Sequence, residues 1–284
     1  MTPLPIGIST FVWHSPLTTP DLQRLVPKLG AWGFEAIEMP LEHVGDWDPA
    51  VAADLLSGAG LASVVGGVMA PGRELTAAGD DVIRSTQDYL RACVDVAARQ
   101  GAHAVVGPLY TSVGRTWRLA AGERSGVIAR LRTALAEVAD YASERGVVLG
   151  VEPLNRYETS LVNTVEQALE VVDGIPGAGL TLDTYHMNIE ERSFADAFAA
   201  AGDRIVHLQV CGNDRGAPGG DLLPWDGIRE AIERSGYRGM LAIESFTADN
   251  ESISTAASIW RPLASTQDAL ATDGLTFLRD WRPS

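Results

Sequence analysis

Val147-Val148-Leu149-Gly150-Val151-Glu152 is a short apolar run, rich in β-branched residues, that ends on a carboxylate. A run too short for a helix and without polar alternation reads as a strand buried on both faces. The same kind of run recurs upstream at residues 6–9, 36–39, 61–65 and 104–106, and downstream at 180–182, 205–210 and 240–243. Helical patterns trail these runs at 22–29, 49–56, 80–99, 126–145, 165–172, 194–201 and 225–235, with a last one ending near Leu278. Gly60, Gly101, Gly146, Gly179, Gly202 and Gly239 punctuate the joints, as glycine does between elements. Eight strand-helix units with no long linker predict a closed (β/α)8 (TIM) barrel occupying residues 1–284 as a single domain. An open doubly wound sheet is the alternative, but Gly216, Gly219 and Gly220 lack the spacing and placement of a nucleotide-binding loop.

Composition removes several function classes. The chain has 284 residues, with 22 Lys+Arg against 37 Asp+Glu and a formal net charge of -15, so phosphate backbones and anionic membrane surfaces are repelled. Nucleic acid and membrane are therefore not expected as partners. No apolar run approaches the roughly 20 residues of a membrane helix, and residues 1–10 lack a basic-then-apolar leader, so a cytoplasmic protein is expected. Cys93 and Cys211 could form at most one bridge. Lys28 is the only lysine and lies in a helical pattern, which leaves no source for a Walker or Schiff-base lysine. What chemistry there is must come from carboxylates, histidines and arginines.

In a barrel of this kind the active site lies at the C-terminal ends of the strands, so polar residues there are informative. Strand five runs into Glu152, strand six into Asp183 and strand eight into Glu244. Strand seven carries His207 and Gln209, which share a face because residues two apart on a strand point the same way. Converging carboxylates repel one another unless a cation sits among them. Oxygen ligands with at most one imidazole favour Mn2+ or Mg2+, with Co2+ also suitable, over Zn2+. The expected metal set is Glu152, Asp183, Glu244 and either Gln209 or His207.

Glu152-Pro153-Leu154-Asn155-Arg156-Tyr157-Glu158, Leu182-Asp183-Thr184-Tyr185-His186-Met187-Asn188-Ile189-Glu190-Glu191 and Ala242-Ile243-Glu244-Ser245-Phe246 carry a resemblance. With them go Gly107-Pro108-Leu109-Tyr110, Arg215, Leu223-Pro224-Trp225 and Ile259-Trp260-Arg261. On these stretches the chain resembles the xylose-isomerase-like sugar phosphate isomerase/epimerase superfamily, and within it the ketose 3-epimerases of the D-tagatose and D-psicose type. The resemblance implies one Mn2+-type ion that holds two adjacent oxygens of a keto sugar. Glu152 and Glu244 would be both ligands and the acid/base pair on opposite faces of the carbon beside the carbonyl, passing through an enediolate. His186 and Arg215 match positions that contact substrate oxygens, and Glu158 one that binds substrate or supports the base. One departure stands on strand seven. The ketose 3-epimerases carry His-x-His there, whereas His207-Leu208-Gln209 is similar to the His-x-Gln of hydroxypyruvate isomerases. A glutamine carbonyl suits a hard cation.

Trp13, Tyr110, Trp225, Phe246 and Trp260 fall near strand ends and are candidate walls of a sugar pocket, with Trp13, Tyr110 and His207 counted among the substrate contacts. A lyase acting on 3-oxo-glycosides by the same proton abstraction followed by β-elimination is a second reading, and a carbon-glycoside deglycosidase of that kind would bring a small partner subunit. Hydroxypyruvate or 2-oxo acid isomerisation is a third, and a non-catalytic sugar-binding protein a fourth. Five histidines are too few for the multi-zinc site of repair endonucleases that share the barrel. Barrels of this kind often pair, so a homo-oligomer is also expected.

Overall fold

A computed structural model describes residues 2–77, 79–120 and 122–283. Eight parallel strands, β1 (Ile6–Ser9), β2 (Ala36–Leu41), β3 (Ala62–Gly67), β4 (Ala104–Gly107), β5 (Val148–Val151), β6 (Ala178–Asp183), β7 (Ile205–Val210) and β8 (Leu241–Ile243), close in chain order. The seam is β8 beside β1, with Gly7 opposite Ala242. Around the barrel run α1 (Thr19–Trp32), α2 (Pro49–Ala59), α3 (Asp80–Gln100), α4 (Glu123–Ser143), α5 (Val165–Val172), α6 (Thr184–Glu190), α7 (Phe194–Ala201), α8 (Trp225–Ser235), α9 (Glu251–Ala256) and α10 (Gln267–Trp281). The expected barrel is thus present, with two short helices, α6 and α9, that residue periodicity alone did not reveal. Among the described residues no helix is long and apolar enough to cross a membrane.

Strand residues alternate between two apolar clusters. Ile37, Val65 and Val105 belong to the large cluster shared with the helices, whereas Ala36, Val64, Ala104 and Val106 form a small one with Met240. Residues two apart share a face, so the small cluster is the plug of the barrel interior. Each fully buried aliphatic side chain contributes roughly 1.5–3 kcal/mol. Helix starts are marked in the sequence: Thr18 and Asp21 form a reciprocal cap on α1, and Asp48, Thr164, Ser193 and Thr266 cap α2, α5, α7 and α10. Each satisfies backbone N–H groups that the first turn leaves unpaired.

Connections at the two ends of the barrel differ in length. At the N-terminal end of the strands, residues 60–61 join α2 to β3 and 101–103 join α3 to β4. At the C-terminal end, residues 68–79, 108–122, 152–164, 211–224 and 244–266 lie between strands and the next main helix. Those long segments have room to build a pocket over the plug. Backbone approach keeps its floor open: a Cβ at Gly107, whose φ is 125°, would lie 3.0 Å from the Gly67 carbonyl oxygen. Glycine is the residue that accepts both the contact and the angle.

Candidate active site

A cavity of about 390 Å3 opens at the C-terminal end of the barrel. Glu38, Glu152, Glu158, His186, Gln209, Arg215 and Glu244 line it, together with an apolar side that includes Phe11, Met69, Val113, Phe246 and Ile253. Asp183 lies just beneath, with its side chain fully buried. A bulge between β6 and β7 at Leu180/Thr181 shifts the register so that Asp183 comes opposite Gln209. Asp183 both ends β6 and starts α6, where its Oδ1 accepts the backbone N–H of Tyr185 at 2.9 Å. That short helix then presents His186.

Arg215 organises the centre. Its Nη1 donates to Asp183 Oδ2 at 2.5 Å and to Glu244 Oε2 at 3.0 Å. Its guanidinium lies 4.1 Å from the Tyr185 ring centroid and 4.8 Å from that of Phe246, an arrangement that favours a cation. The backbone there is left-handed, with φ 68°, and is held by the Arg215 N–H donating to Gly212 O and by its carbonyl accepting from Phe246 N. Such strain in a non-glycine residue costs on the order of 1–3 kcal/mol and persists where surrounding contacts over-determine it.

Charge is not balanced in this pocket. Glu38, Glu152, Glu158, Asp183 and Glu244 face the single guanidinium of Arg215. Burial, with the nearby Asp183 carboxylate, pushes the Glu152 carboxyl well above the usual glutamate range. Burial also raises Glu244; Arg215 opposes this in part, and Glu38 and Glu152 reinforce it. His186 is held below its ordinary value by burial and then by Arg215, so it is neutral at pH 7.

Both ring nitrogens of His186 face N–H donors. Asn155 directs its backbone N–H and its Nδ2 at Nδ1, each at 3.0 Å, and Arg215 Nη2, which can only donate, lies 3.0 Å from Nε2. Nε2 also lies 3.3 Å from Glu152 Oε1. Asn155 Nδ2 also reaches Glu158 Oε1 at 2.7 Å, tying the Asn155–Glu158 stretch to this histidine.

The residues expected from the sequence are therefore largely brought together: Glu152, Asp183, His186, Gln209, Arg215 and Glu244 form one cluster, with Glu158 at the rim. His207 is fully buried below Gln209, with Nε2 2.7 Å from Glu38 Oε2, and does not line the cavity. Two aromatic expectations are corrected. Trp13 does not line the cavity, because the 3-10 turn Thr10–Val12 turns the chain so that Phe11 faces it. The Trp13 ring instead packs against Trp32 and its Nε1 donates to Asp268 at 2.9 Å. Tyr110 is fully buried in the wall, its hydroxyl donating to the Val162 carbonyl at 3.1 Å, and is likewise absent from the lining. Of the other aromatics, Phe246 lines the cavity, Trp225 packs on Phe277 and Trp281, and Trp260 is 75% exposed.

Sequence reasoning passed over Glu38 and Asn155 as site-builders. Glu38 carried a signal, a carboxylate inside the apolar run Ala36-Ile37-Glu38-Met39. Phe11, Val113 and Ile253 carried none, since a loop residue's facing depends on the path of its loop.

Known proteins share this architecture. A protein of Synechocystis sp. named "Probable ketose 3-epimerase" is 31% identical over 275 residues, covering 96% of this chain and 95% of that one. An L-ribulose 3-epimerase of Methylomonas sp. is 29% identical, covering 97% of each chain. The crystal structure of D-allulose 3-epimerase from Methylomonas sp. in complex with D-allulose superposes with a TM-score of 0.90 at 28% identity, over 99% of this chain and 98% of that one. The ketose 3-epimerase resemblance read from the sequence agrees with these relatives. The family model for the xylose isomerase-like TIM barrel matches residues 26–281, nearly the whole barrel, and in keeping with its closed sheet and carboxylate-lined mouth the chain belongs to that family.

Proposed function

We propose that the protein is a divalent-metal-dependent ketose 3-epimerase, with residues 1–284 acting as one catalytic domain. The observation that carries this is the convergence of Glu152 after β5 and Glu244 after β8 on one cavity, with Arg215 and His186 between them. The two glutamates come from well-separated strands of the barrel. A C–H beside a carbonyl is a weak acid, and inversion there requires one group to take the proton on one face and another to return it on the opposite face. Two carboxyls raised above the usual glutamate range by burial suit that exchange, because each is a stronger proton acceptor than an exposed glutamate. The Arg215 guanidinium, with His186 beside it in the same cavity, supplies donors for substrate oxygens on which negative charge develops. Glu158, at the rim, accepts from a sugar hydroxyl.

Glu152, Asp183, Gln209 and Glu244 would hold the cation, Mn2+ by donor type, with Mg2+ or Co2+ as substitutes. When bound, it polarises the substrate carbonyl and makes the neighbouring C–H more acidic. The chain's own features fit it. The carboxylates outnumber the positive charge, and Gln209 Oε1 is buried with no hydrogen-bond partner among the described residues. Proximity alone groups Glu152, Asp183 and His186, whose ligand atoms lie within 4.8 Å of one another. The nitrogen near those carboxylates is Nε2, 3.3 Å from Glu152 Oε1 and 3.7 Å from Asp183 Oδ2, and Arg215 Nη2 already stands 3.0 Å from it, so the orphaned Gln209 carbonyl is the better fourth donor.

Proton NMR in D2O of the Mn2+-supplemented protein with a panel of free ketoses, 3-oxo-glycosides and hydroxypyruvate tests the proposal. Deuterium at C3 of a ketose, with its C3 epimer appearing, is the expected result. Release of aglycone confined to 3-oxo-glycosides would make the protein a lyase and overturn it.

A further inference from the structure

We propose that Glu38 is a positioning residue that forces the carbonyl of Gln209, and not its amide nitrogen, towards the metal-binding carboxylates. The inference rests on the metal-dependent reading above. Glu38 stands on β2 and Gln209 on β7, strands kept apart in the barrel order by β1 and β8, so their contact spans the barrel interior. Glu38 is buried at 1% exposure and Gln209 at 2%. Gln209 Nε2 lies 3.2 Å from Glu38 Oε1 and 3.1 Å from Oε2. His207 Nε2 meets Oε2 from the same strand at 2.7 Å and steadies the carboxylate.

The reason lies in the near-symmetry of a primary amide. Its oxygen and nitrogen have almost the same shape, so the surrounding donors and acceptors decide which way it faces. A carboxylate offers acceptors only, so the NH2 must turn to Glu38 and the oxygen must turn away from it. The flipped amide would press oxygen on oxygen in a buried site and aim a donor at the other carboxylates. In the observed orientation Oε1 is left without a partner, on a residue that lines the cavity with Glu152 and Glu244 and sits opposite Asp183. Buried polar atoms are nearly always satisfied, so this one is held ready for a ligand from outside the chain. An imidazole at position 209 would need only an acceptor for its N–H to turn the other nitrogen's lone pair to the cation, and an amide carbonyl serves there as well as a carboxylate. Glu38 and Gln209 thus act as a pair.

Mn2+ affinity without substrate, followed by loss of the free-ion EPR signal, tests this through a double-variant cycle. Glu38→Gln offers both a donor and an acceptor, so it no longer dictates the amide's orientation. It is expected to weaken Mn2+ binding about 10–100-fold, the range for groups that orient metal ligands. Combined with Gln209→His the loss is expected to shrink by about tenfold, because the substituted amide can still accept an imidazole N–H. Undiminished Mn2+ binding by Glu38→Gln, or an equal loss in both backgrounds, would overturn the inference and leave the metal site standing. Absence of Mn2+ binding by the unsubstituted protein would overturn both. Glu38→Asp in the same two backgrounds decides the matter if Glu38→Gln does not fold, with a smaller loss confined to the Gln209 background expected.

Discussion

At the scale of single residues, the pocket separates groups that move protons from groups that hold charge in place. Glu152 and Glu244 share the cavity, yet each has its own partner, His186 for the first and Arg215 for the second. Glu152→Gln and Glu244→Gln keep the shape of each side chain and remove its proton-transfer capacity. Each is expected to lower kcat by a factor of about 10²–10⁴, measured as ketose epimerisation, with far-UV circular dichroism unchanged. A sugar-binding protein without turnover would show no activity to lose. Cys211 touches Asp183 and Arg215, and burial raises its thiol well above the ordinary thiol range. Cys93 is pushed up to about 12, also by burial. Neither cysteine is expected to react with a thiol reagent at pH 8 until the protein is unfolded.

Among elements, the β6–α6 junction does most to build the site. One residue, Asp183, closes a strand, caps a helix and faces the carboxylate cluster. Asp183→Ala is expected to abolish the rise in Tm that Mn2+ produces, and to remove a cap worth about 1 kcal/mol in the metal-free protein. A metal response that survives in this variant would rule out the proposed ligand set. The α1–α10 contact behaves differently. Lys28 Nζ sits 4.7 Å from the Trp32 ring centroid and 5.8 Å from that of Trp13, and bonds to the Asp268 carboxylate that Trp13 also reaches. Trp13→Phe breaks one partly buried hydrogen bond, so a loss of about 1 kcal/mol of stability with KM unchanged is expected from denaturant titration.

Taken whole, the molecule stores like charge at one end of its barrel. A carboxyl whose folded pKa is raised contributes stability below its unfolded value, and that contribution is lost as pH rises through the folded value. Glu152 and Glu244 are both raised above 4.5, so the metal-free protein carries a penalty that grows as pH climbs above that value. Glu152→Gln lacks one of those ionisations. Its Tm relative to the metal-free parent is therefore expected to increase as pH rises, a comparison that cancels the titration of histidines common to both. Because metal must displace protons from these carboxyls, the Tm gain from Mn2+ is expected to be larger at pH 8 than at pH 5. A gain that shrinks with pH would contradict the raised values.

The barrel was legible in the sequence because burial on both faces demands continuous apolar runs, and the runs around Leu149, Leu180 and Ile243 obey that demand locally. Glu152, Asp183 and Glu244 were legible for the same reason, as charges interrupting such runs where a barrel opens. The helix over Thr184–Glu190 was hidden, being too short to show a period and dependent on Asp183 for its start. Three-dimensional closure alone decided the rest. It brought Glu38 across the interior to Gln209, turned Phe11 inward and Trp13 outward, and set His186 between Asn155 and Arg215. Periodicity records which side of a strand or helix is buried; a contact between strands 169 or 171 residues apart, or the facing of a loop side chain, exists only once the sheet has closed.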